Sequence, residues 1–155
     1  MEHKRIWDKT LNPNEEVKYE FSVSQRYRMI MLVGWCAIGG MFLLSSFAAG
    51  LGFFMVAFSA FYFGFYMKAA NAYAFTDRRV LVHRGWLSTK LISIDYSKIT
   101  DITVHEPLIS RLVFGTGAIK IDTAGTNREN VIIGQVESPY EIKKRLDSLR
   151  SGTQL

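Results

Sequence analysis

The sequence has little cysteine and proline and a long stretch without charge. Residues 29–67 contain no Asp, Glu, Lys, Arg or His. Cys36 is the only cysteine, which excludes an intramolecular disulfide and a zinc site built on cysteines. Hydrophobic residues make up 48% of the chain, and the 11 phenylalanines are concentrated in and around the uncharged stretch. That stretch is therefore the first feature to interpret.

The uncharged stretch predicts a transmembrane helical hairpin over residues 28–68. An ionised side chain at the centre of a bilayer costs roughly 2.5 kcal/mol or more, and a helical span needs ~20 residues. Gly50-Leu51-Gly52 predicts a turn near the middle, between a helix from Arg28 to about Phe47 and one from about Phe53 to Lys68. A buried helical pair is the alternative, but 155 residues could not cover so much apolar surface.

The basic residues predict the orientation of this hairpin. Lys and Arg occur before and after it, whereas its turn has none. The positive-inside rule then places both termini of a multi-pass membrane protein in the cytoplasm. Four aromatic residues suit an interfacial belt: Tyr27, Trp35, Tyr62 and Tyr66.

The hairpin divides the rest of the chain into a cytoplasmic arm, residues 1–27, and a cytoplasmic domain, residues 69–155. In the arm, Asn12-Pro13-Asn14 predicts a turn, and the alternation from Val17 to Val23 predicts a short strand. This strand either packs against the later domain or lies along the membrane surface.

Residues 69–155 show the period-two alternation of an antiparallel sheet with one buried face. Gly125-Thr126-Asn127 predicts a hairpin turn, and Ser138-Pro139 begins a helix with an apolar stripe at Ile142, Leu146 and Leu149. A C-terminal helix can close the open end of a bent sheet. The predicted strands are Tyr73–Thr76, Val80–Trp86, Leu91–Tyr96, a strand around Ile102 and Val104, Ala118–Thr123 and Val131–Val136.

Several motifs resemble one known family. They are Tyr73-Ala74-Phe75-Thr76-Asp77-Arg78-Arg79-Val80, Arg84-Gly85-Trp86-Leu87-Ser88 and Arg111-Leu112-Val113-Phe114-Gly115-Thr116-Gly117. Together with the hairpin, they resemble the bacterial pleckstrin-homology-like (YdbS-like) family of small membrane proteins. The resemblance implies an α+β protein of a prokaryotic cell (inner) membrane, in which the two-helix transmembrane hairpin precedes a bent antiparallel β-barrel capped by a C-terminal α-helix. It implies little about function, because this fold serves many unrelated roles.

Basic residues of the domain are candidates for contact with lipid headgroups. Arg78 and Arg79 adjoin in a predicted turn, Arg84 lies in the strand that follows, and Lys90 lies in the break after that strand. The alternative for the first two is a structural salt bridge, with Asp77 or Asp95 as a partner. The four are too dispersed to predict a stereospecific inositide site, so diffuse attraction to anionic lipid is the form we expect.

In the hairpin, Ala60 and Gly64 form a small-x-x-x-small step that allows close helix packing. We expect this packing to join the two helices of one chain, with self-association as the alternative.

No catalytic site is predicted. Gly115-Thr116-Gly117 lacks the remaining P-loop residues and leads into a strand, so its glycines favour a bend. His3, His83 and His105 lack neighbours at ligand or general-base spacing. We therefore expect no enzyme activity, no metal and no cofactor.

The sequence thus predicts a non-catalytic membrane protein that presents a cytosolic domain for protein–protein interaction. The expected partners are membrane lipids and either another membrane protein or further copies of the chain, but no nucleic acid. A β-surface or a sheet edge is the expected docking site. The alternative is an anionic-lipid-sensing module. Transport by assembled hairpins is disfavoured, since the spans contain no ionisable residue.

Overall fold

The computed structural model describes residues 3–124 and 130–152, which form seven strands in two antiparallel sheets. One sheet has the order β1-β2-β3-β4 and the other the order β5-β6-β7. The predicted turn at Gly125-Thr126-Asn127 lies outside the described residues. The strands are β1 (Val17–Ser22), β2 (Asn71–Thr76), β3 (Arg79–Arg84), β4 (Lys90–Asp95), β5 (Ile99–His105), β6 (Thr116–Thr123) and β7 (Val131–Glu137).

The predicted strand in the arm is confirmed, and it belongs to the first sheet. β1 pairs antiparallel with β2, with Phe21 opposite Tyr73 and Ser22 opposite Ala72. Between these two strands the chain runs out through one helix and returns through another. The β1–β2 pairing therefore holds both ends of the helical hairpin side by side.

The main core lies between the two sheets and under the C-terminal helix. The predicted alternation is confirmed, since Ile94, Ile119 and Ile121 are buried in this core. Helix α5 (Pro139–Gly152) covers it with Ile142 and Leu146, which are buried, as the apolar stripe predicted.

A short N-terminal helix, α1 (Lys4–Trp7), was not predicted from the sequence. Its fully buried Trp7 packs on Ala72, Ala74 and Leu81, on the outer face of the first sheet. The small alanines of β2 leave room for the indole. As a result β2 is buried on both faces, whereas one buried face was expected.

Two long helices form an antiparallel pair. Helix α2 (Gln25–Leu43) packs against α3 (Ala49–Ser59), which continues as a π-helical segment, Ala60–Tyr66, and as α4 (Met67–Ala70). The Cys36 sulfur lies 3.3 Å from the Ser59 hydroxyl. Nearer the sheet, Arg28 Nη1 donates to the carbonyl of Gly64 at 3.4 Å.

The turn between these helices lies at residues 44–48, so the prediction at Gly50-Leu51-Gly52 was wrong. Gly50 and Gly52 are within α3. Gly52 serves close packing instead, because a Cβ there would lie 2.6 Å from the carbonyl oxygen of Gly39 and 2.8 Å from the Leu43 nitrogen. A glycine that permits helix contact looks the same in sequence as one that permits a turn.

Within the described residues, one helix is long and apolar enough to cross a membrane by length and composition, where two were expected. It comprises residues Ala49–Ala70, with a mean hydropathy of 1.5, and 11% of its most apolar stretch is buried. α2 differs because Arg26 and Arg28 occupy its first turns and it ends at Leu43. Its uncharged part is thus shorter than the ~20 residues of a typical span.

Candidate functional site at the base of the helical hairpin

The Thr76-Asp77-Arg78-Arg79 motif forms the β2–β3 turn, and buried hydrogen bonds hold it in place. The Thr76 hydroxyl accepts from the backbone nitrogens of Arg78 and Arg79, at 3.2 and 3.0 Å, and donates to the Arg79 carbonyl. The Tyr96 hydroxyl donates to the Thr76 carbonyl at 2.6 Å. Burial raises the pKa of Tyr96, which keeps this donor protonated. The motif therefore has a structural role that accounts for its threonine.

Arg79 forms an ion pair with a partner that the sequence did not suggest. Its Nε donates to Glu15 Oε1 at 2.8 Å, and its Nη2 donates to Oε2 at 2.7 Å. The Glu15 side chain has no exposed area. Hydrogen bonds from Arg79 lower the pKa of Glu15 to about 2, although burial opposes this shift. Asp77 and Asp95 were the expected partners, and Arg78 does pair with Asp77 at 3.5 Å.

The structure does not bring the four basic candidates together. Arg78 and Arg79 lie at the end of β3 away from the hairpin, while Arg84 lies opposite Asn71, the first residue after α4. Arg79 and Arg84 are five positions apart on β3, which corresponds to a distance of ~17 Å along the strand. Lys90 is the cross-strand partner of Arg84, so these two form the membrane-proximal pair of the set if the hairpin spans a bilayer.

Other basic residues lie at the base of the hairpin. Arg26 and Arg28 are in the first two turns of α2, and Lys68 is in the last helical turn before β2. On the neighbouring strands, Arg84 lies opposite Asn71, and Lys90 lies opposite Arg84. Both helix ends are therefore flanked by positive charge. This grouping depends on the pairing of β1 with β2 and is not visible as a run of basic residues in the sequence.

A hydrogen-bonded cluster ties the N-terminus to the hairpin base. Glu20 Oε1 accepts from the backbone nitrogen of His3 at 2.9 Å and from Trp7 Nε1 at 3.1 Å. His3 Nε2 lies 3.1 Å from the carbonyl oxygen of Lys68. Burial raises the pKa of Glu20, but the hydrogen bonds from Trp7 and His3 hold it below its usual value. Glu20 thus anchors α1 to the sheet.

His83 is buried near this cluster, and its Nδ1 has no hydrogen-bond partner among the described residues. Burial lowers its pKa, and the proximity of His3 adds to this effect. A neutral imidazole is therefore favoured at this position. The described residues contain no group of three or more His, Cys, Asp or Glu side chains that could hold a metal ion.

Two apolar surfaces contact the hairpin base, one on each of its helices. In the β3–β4 loop, the Trp86 ring packs against Phe61 and Phe65, with ring centroids 6.3 and 5.5 Å apart. Between β5 and β6, Phe114 packs edge-to-face on Tyr27 at 5.0 Å. The sequence places Trp86 at the end of a predicted strand and Pro107–Gly115 in an irregular stretch that could hold a helical turn, but it predicts neither contact.

Ala60 and Gly64 are exposed, and a Cβ at Gly64 would meet nothing within 4 Å. The closest approach of the two helices lies elsewhere, at Gly39 and Gly52. The packing role of Ala60 and Gly64 therefore stays a prediction, and their exposed side is open to a second copy of the chain.

The fold defined by these two sheets and the C-terminal helix is that of a pleckstrin-homology (PH) domain. The chain belongs to the bacterial PH domain family, whose model matches residues 29–150. Because this range begins within α2, it includes both hairpin helices as well as β2–β7.

Two solved structures share the fold. One is a DUF1696 family protein with a pleckstrin-homology domain from Shewanella loihica PV-4, with a TM-score of 0.52, 11% identity, and coverage of 96% of this chain and 94% of that one. The other is a pleckstrin homology domain from Shewanella amazonensis SB2B, with the same TM-score and identity and 96% coverage of both chains. No curated protein matched the chain. At this identity the two structures support the fold alone.

Proposed function

We propose that the chain is an integral membrane protein whose helical hairpin crosses the bilayer and whose PH-like domain is a non-catalytic interaction module. The observation that carries this proposal is the exposure of the hairpin. Phe47 is fully exposed, Leu44 is 90% exposed and Phe53 is 70% exposed, within a stretch that has no charge. Monomeric soluble proteins rarely expose an apolar surface of this extent, whereas a lipid-facing helix pair requires one.

The hairpin's dimensions support a bilayer setting. The helix over residues Ala49–Ala70 has the length of a full span. α2 is shorter, but Arg26 and Arg28 can extend their charged groups to the headgroups while their stems remain among apolar neighbours. Positive charge at the sheet end and none at the turn support an orientation in the cell membrane with the domain and both termini in the cytoplasm.

The free edge of β4 is the surface proposed for the protein partner, either another membrane protein or a second copy. Within the described part of the chain, β4 pairs only with β3, so one side of its backbone has no neighbouring strand. Leu91 and Ser93 are exposed on this strand. An edge of this kind accepts an extended segment through main-chain hydrogen bonds.

Site-specific crosslinking of the full-length protein in membranes tests this proposal. A photo-crosslinking amino acid replaces Leu91 or Ser93, and the matched control replaces Lys144 on the exposed face of α5. We expect adducts of one defined mass from β4 and none from Lys144. Equal crosslinking at all three positions, or none at β4, would contradict a β4 docking site.

The membrane setting has its own test, which is extraction. We expect the full chain to remain in the membrane pellet after washing with high salt and with alkaline carbonate, and to require detergent for release. Release by either wash would overturn the transmembrane hairpin.

Anionic-lipid sensing is a second candidate, supported by the position of Arg84 and Lys90 beside the hairpin base. Each basic residue near an anionic surface is worth ~1 kcal/mol at low salt. Native mass spectrometry of the full chain, released from nanodiscs that mix anionic and zwitterionic lipids, reports which lipids are retained. The double variant Arg84→Gln with Lys90→Gln should retain fewer anionic lipids, whereas Arg78→Gln should not. Equal retention in all three proteins would remove this candidate.

A further inference from the structure

An exposed apolar helix lies between β5 and β6. Residues 108–114 form it, with a π-helical core at Ser110–Phe114. Leu108, Ile109 and Leu112 are each between 66% and 70% exposed, and Val113 is 45% exposed. Leu108 and Leu112 are four positions apart, as are Ile109 and Val113, so these four side chains form two adjacent rows along one side of the helix.

This helix is attached to the hairpin where the uncharged stretch begins. Phe114 packs on Tyr27 of α2, and a Cβ at Gly115 would lie 3.4 Å from Arg26 Nη1. Gly115 ends the helix in a left-handed conformation (φ 64°), which returns the chain into β6. The exposed face therefore adjoins the first turns of α2, next to the apolar surface of the hairpin.

A second apolar projection lies beside the returning helix of the hairpin. Leu87 is 89% exposed, and its neighbour Trp86 packs on Phe61 and Phe65 of the returning helix. The β2–β3 turn, at the end of the strands far from the hairpin, is charged rather than apolar. It consists of Asp77 and Arg78, which form an ion pair. Exposed apolar side chains thus collect at the hairpin end of the sheets, next to the basic residues of the hairpin base, whereas the β2–β3 turn at the far end is charged.

We propose that the 108–114 helix inserts its apolar face into the cytoplasmic leaflet beside α2, with Leu87 entering beside the returning helix. This inference rests on the transmembrane hairpin proposed above and adds a second kind of membrane contact to it. The occupant is lipid, because the face is continuous with the hairpin's apolar surface. Arg111 within the helix and Arg26 next to it place positive charge at headgroup level. This second membrane contact fixes the tilt of the PH-like domain relative to the bilayer.

Depth-dependent fluorescence quenching tests the inference on the full chain in liposomes. Cys36→Ser provides a cysteine-free background, in which Ile109→Cys or Leu112→Cys is labelled with an environment-sensitive dye. Thr103→Cys on β5 is the exposed control, and Phe53→Cys reports on the hairpin. The liposomes contain lipids with a nitroxide quencher either near the headgroup or deep in the acyl chain.

We expect the labels at 109 and 112 to shift to shorter emission wavelengths and to lose emission with the shallow quencher, while the label at 103 keeps its emission. If 109 and 112 remain in water while 53 is quenched, insertion is wrong and the hairpin proposal stands. If 53 is not quenched either, both proposals fail. Protection of 109 and 112 from water without quenching by lipid would assign the face to a second copy or another protein and would also overturn the inference.

Discussion

Glu15 and Arg79 are 64 residues apart in the chain, and their carboxylate and guanidinium groups meet through two hydrogen bonds of 2.7 and 2.8 Å. This pair joins the Asn12-Pro13-Asn14 turn of the arm to the β2–β3 turn of the sheet. A third bond, from Arg79 Nη2 to the Thr10 carbonyl, extends the same connection. The arm is therefore fastened to the domain at the end far from the hairpin, in addition to the β1–β2 pairing.

The first prediction concerns this ion pair. Replacing Glu15 by Gln leaves the buried side of the Arg79 guanidinium without its anion, so the free energy of unfolding should fall by about 3 kcal/mol. Denaturant or thermal unfolding of the full chain in a mild detergent measures the change. Arg78→Gln is the matched control, since its side chain is 61% exposed and its ion pair with Asp77 is superficial. Equal stabilities for the two variants would contradict a structural role for Glu15.

The second prediction is a loss of stability in acid. The pKa of Glu15 is about 2 in the folded chain against an ordinary value of 4.5, so its contribution is complete above pH 4.5 and is lost as the pH falls from there toward 2. Unfolding curves of the wild type should show this loss, and it should be smaller in Glu15→Gln, where Glu20, whose pKa is also lowered, still contributes. Burial also lowers the pKa of His83 below its ordinary value of 6.5. The folded chain therefore loses stability as the pH falls below 6.5, because the buried ring is harder to protonate than the same ring in the unfolded chain. This second loss should persist in Glu15→Gln, and its disappearance there would mean that the two groups had been assigned wrongly.

The third prediction concerns the hydroxyl of Thr76. Thr76→Val keeps the shape of the side chain but leaves the backbone nitrogens of Arg78 and Arg79 without their acceptor, at a cost of about 1–3 kcal/mol. The exposed Thr103→Val on β5 should change stability by less than ~0.5 kcal/mol. The same unfolding assay compares the two. If Thr76→Val is as stable as Thr103→Val, the buried hydrogen bonds at the turn are not needed.

The fourth prediction concerns contact between the hairpin helices. In Gly52→Ala the added methyl would meet the backbone of Gly39 and Leu43, so the helices must separate, at a cost of about 1–3 kcal/mol. Gly50→Ala is the control, because a Cβ there meets nothing within 4 Å and alanine is the better helix former. Thermal unfolding in detergent should therefore show a lower midpoint for Gly52→Ala only. A lower midpoint for Gly50→Ala as well would indicate a contact outside this pair of helices.

Much of the secondary structure follows from local pattern. Ile92 and Ile94 alternate with polar residues because one face of β4 packs on the core, and Ile142, Leu146 and Leu149 follow a helical period for the same reason. The uncharged stretch likewise predicted an apolar helical pair. Such signals are readable because neighbours a few positions apart in the chain experience the same environment.

Other features depend on residues that are distant in sequence. Nothing near Arg79 indicates that its partner is Glu15 rather than Asp77 or Asp95, and nothing near Trp7 indicates that it fills the space above Ala72 and Ala74. The division of the basic candidates into Arg78 and Arg79 at one end and Arg84 and Lys90 at the other also follows only from strand register. The position of the hairpin turn was misjudged because glycine serves both turns and close packing.

By itself, the sequence determined the apolar helical pair, the alternating strands and the amphipathic C-terminal helix, because hydrophobic periodicity acts over a few residues. The tertiary structure decided which residues meet: Glu15 with Arg79, Gly39 with Gly52, and β1 with β2. It also placed the exposed apolar faces of residues 108–114 and Leu87 at the base of the hairpin. These outcomes depend on packing between segments that are far apart in the chain, where shape and burial select one pairing among several that local sequence allows.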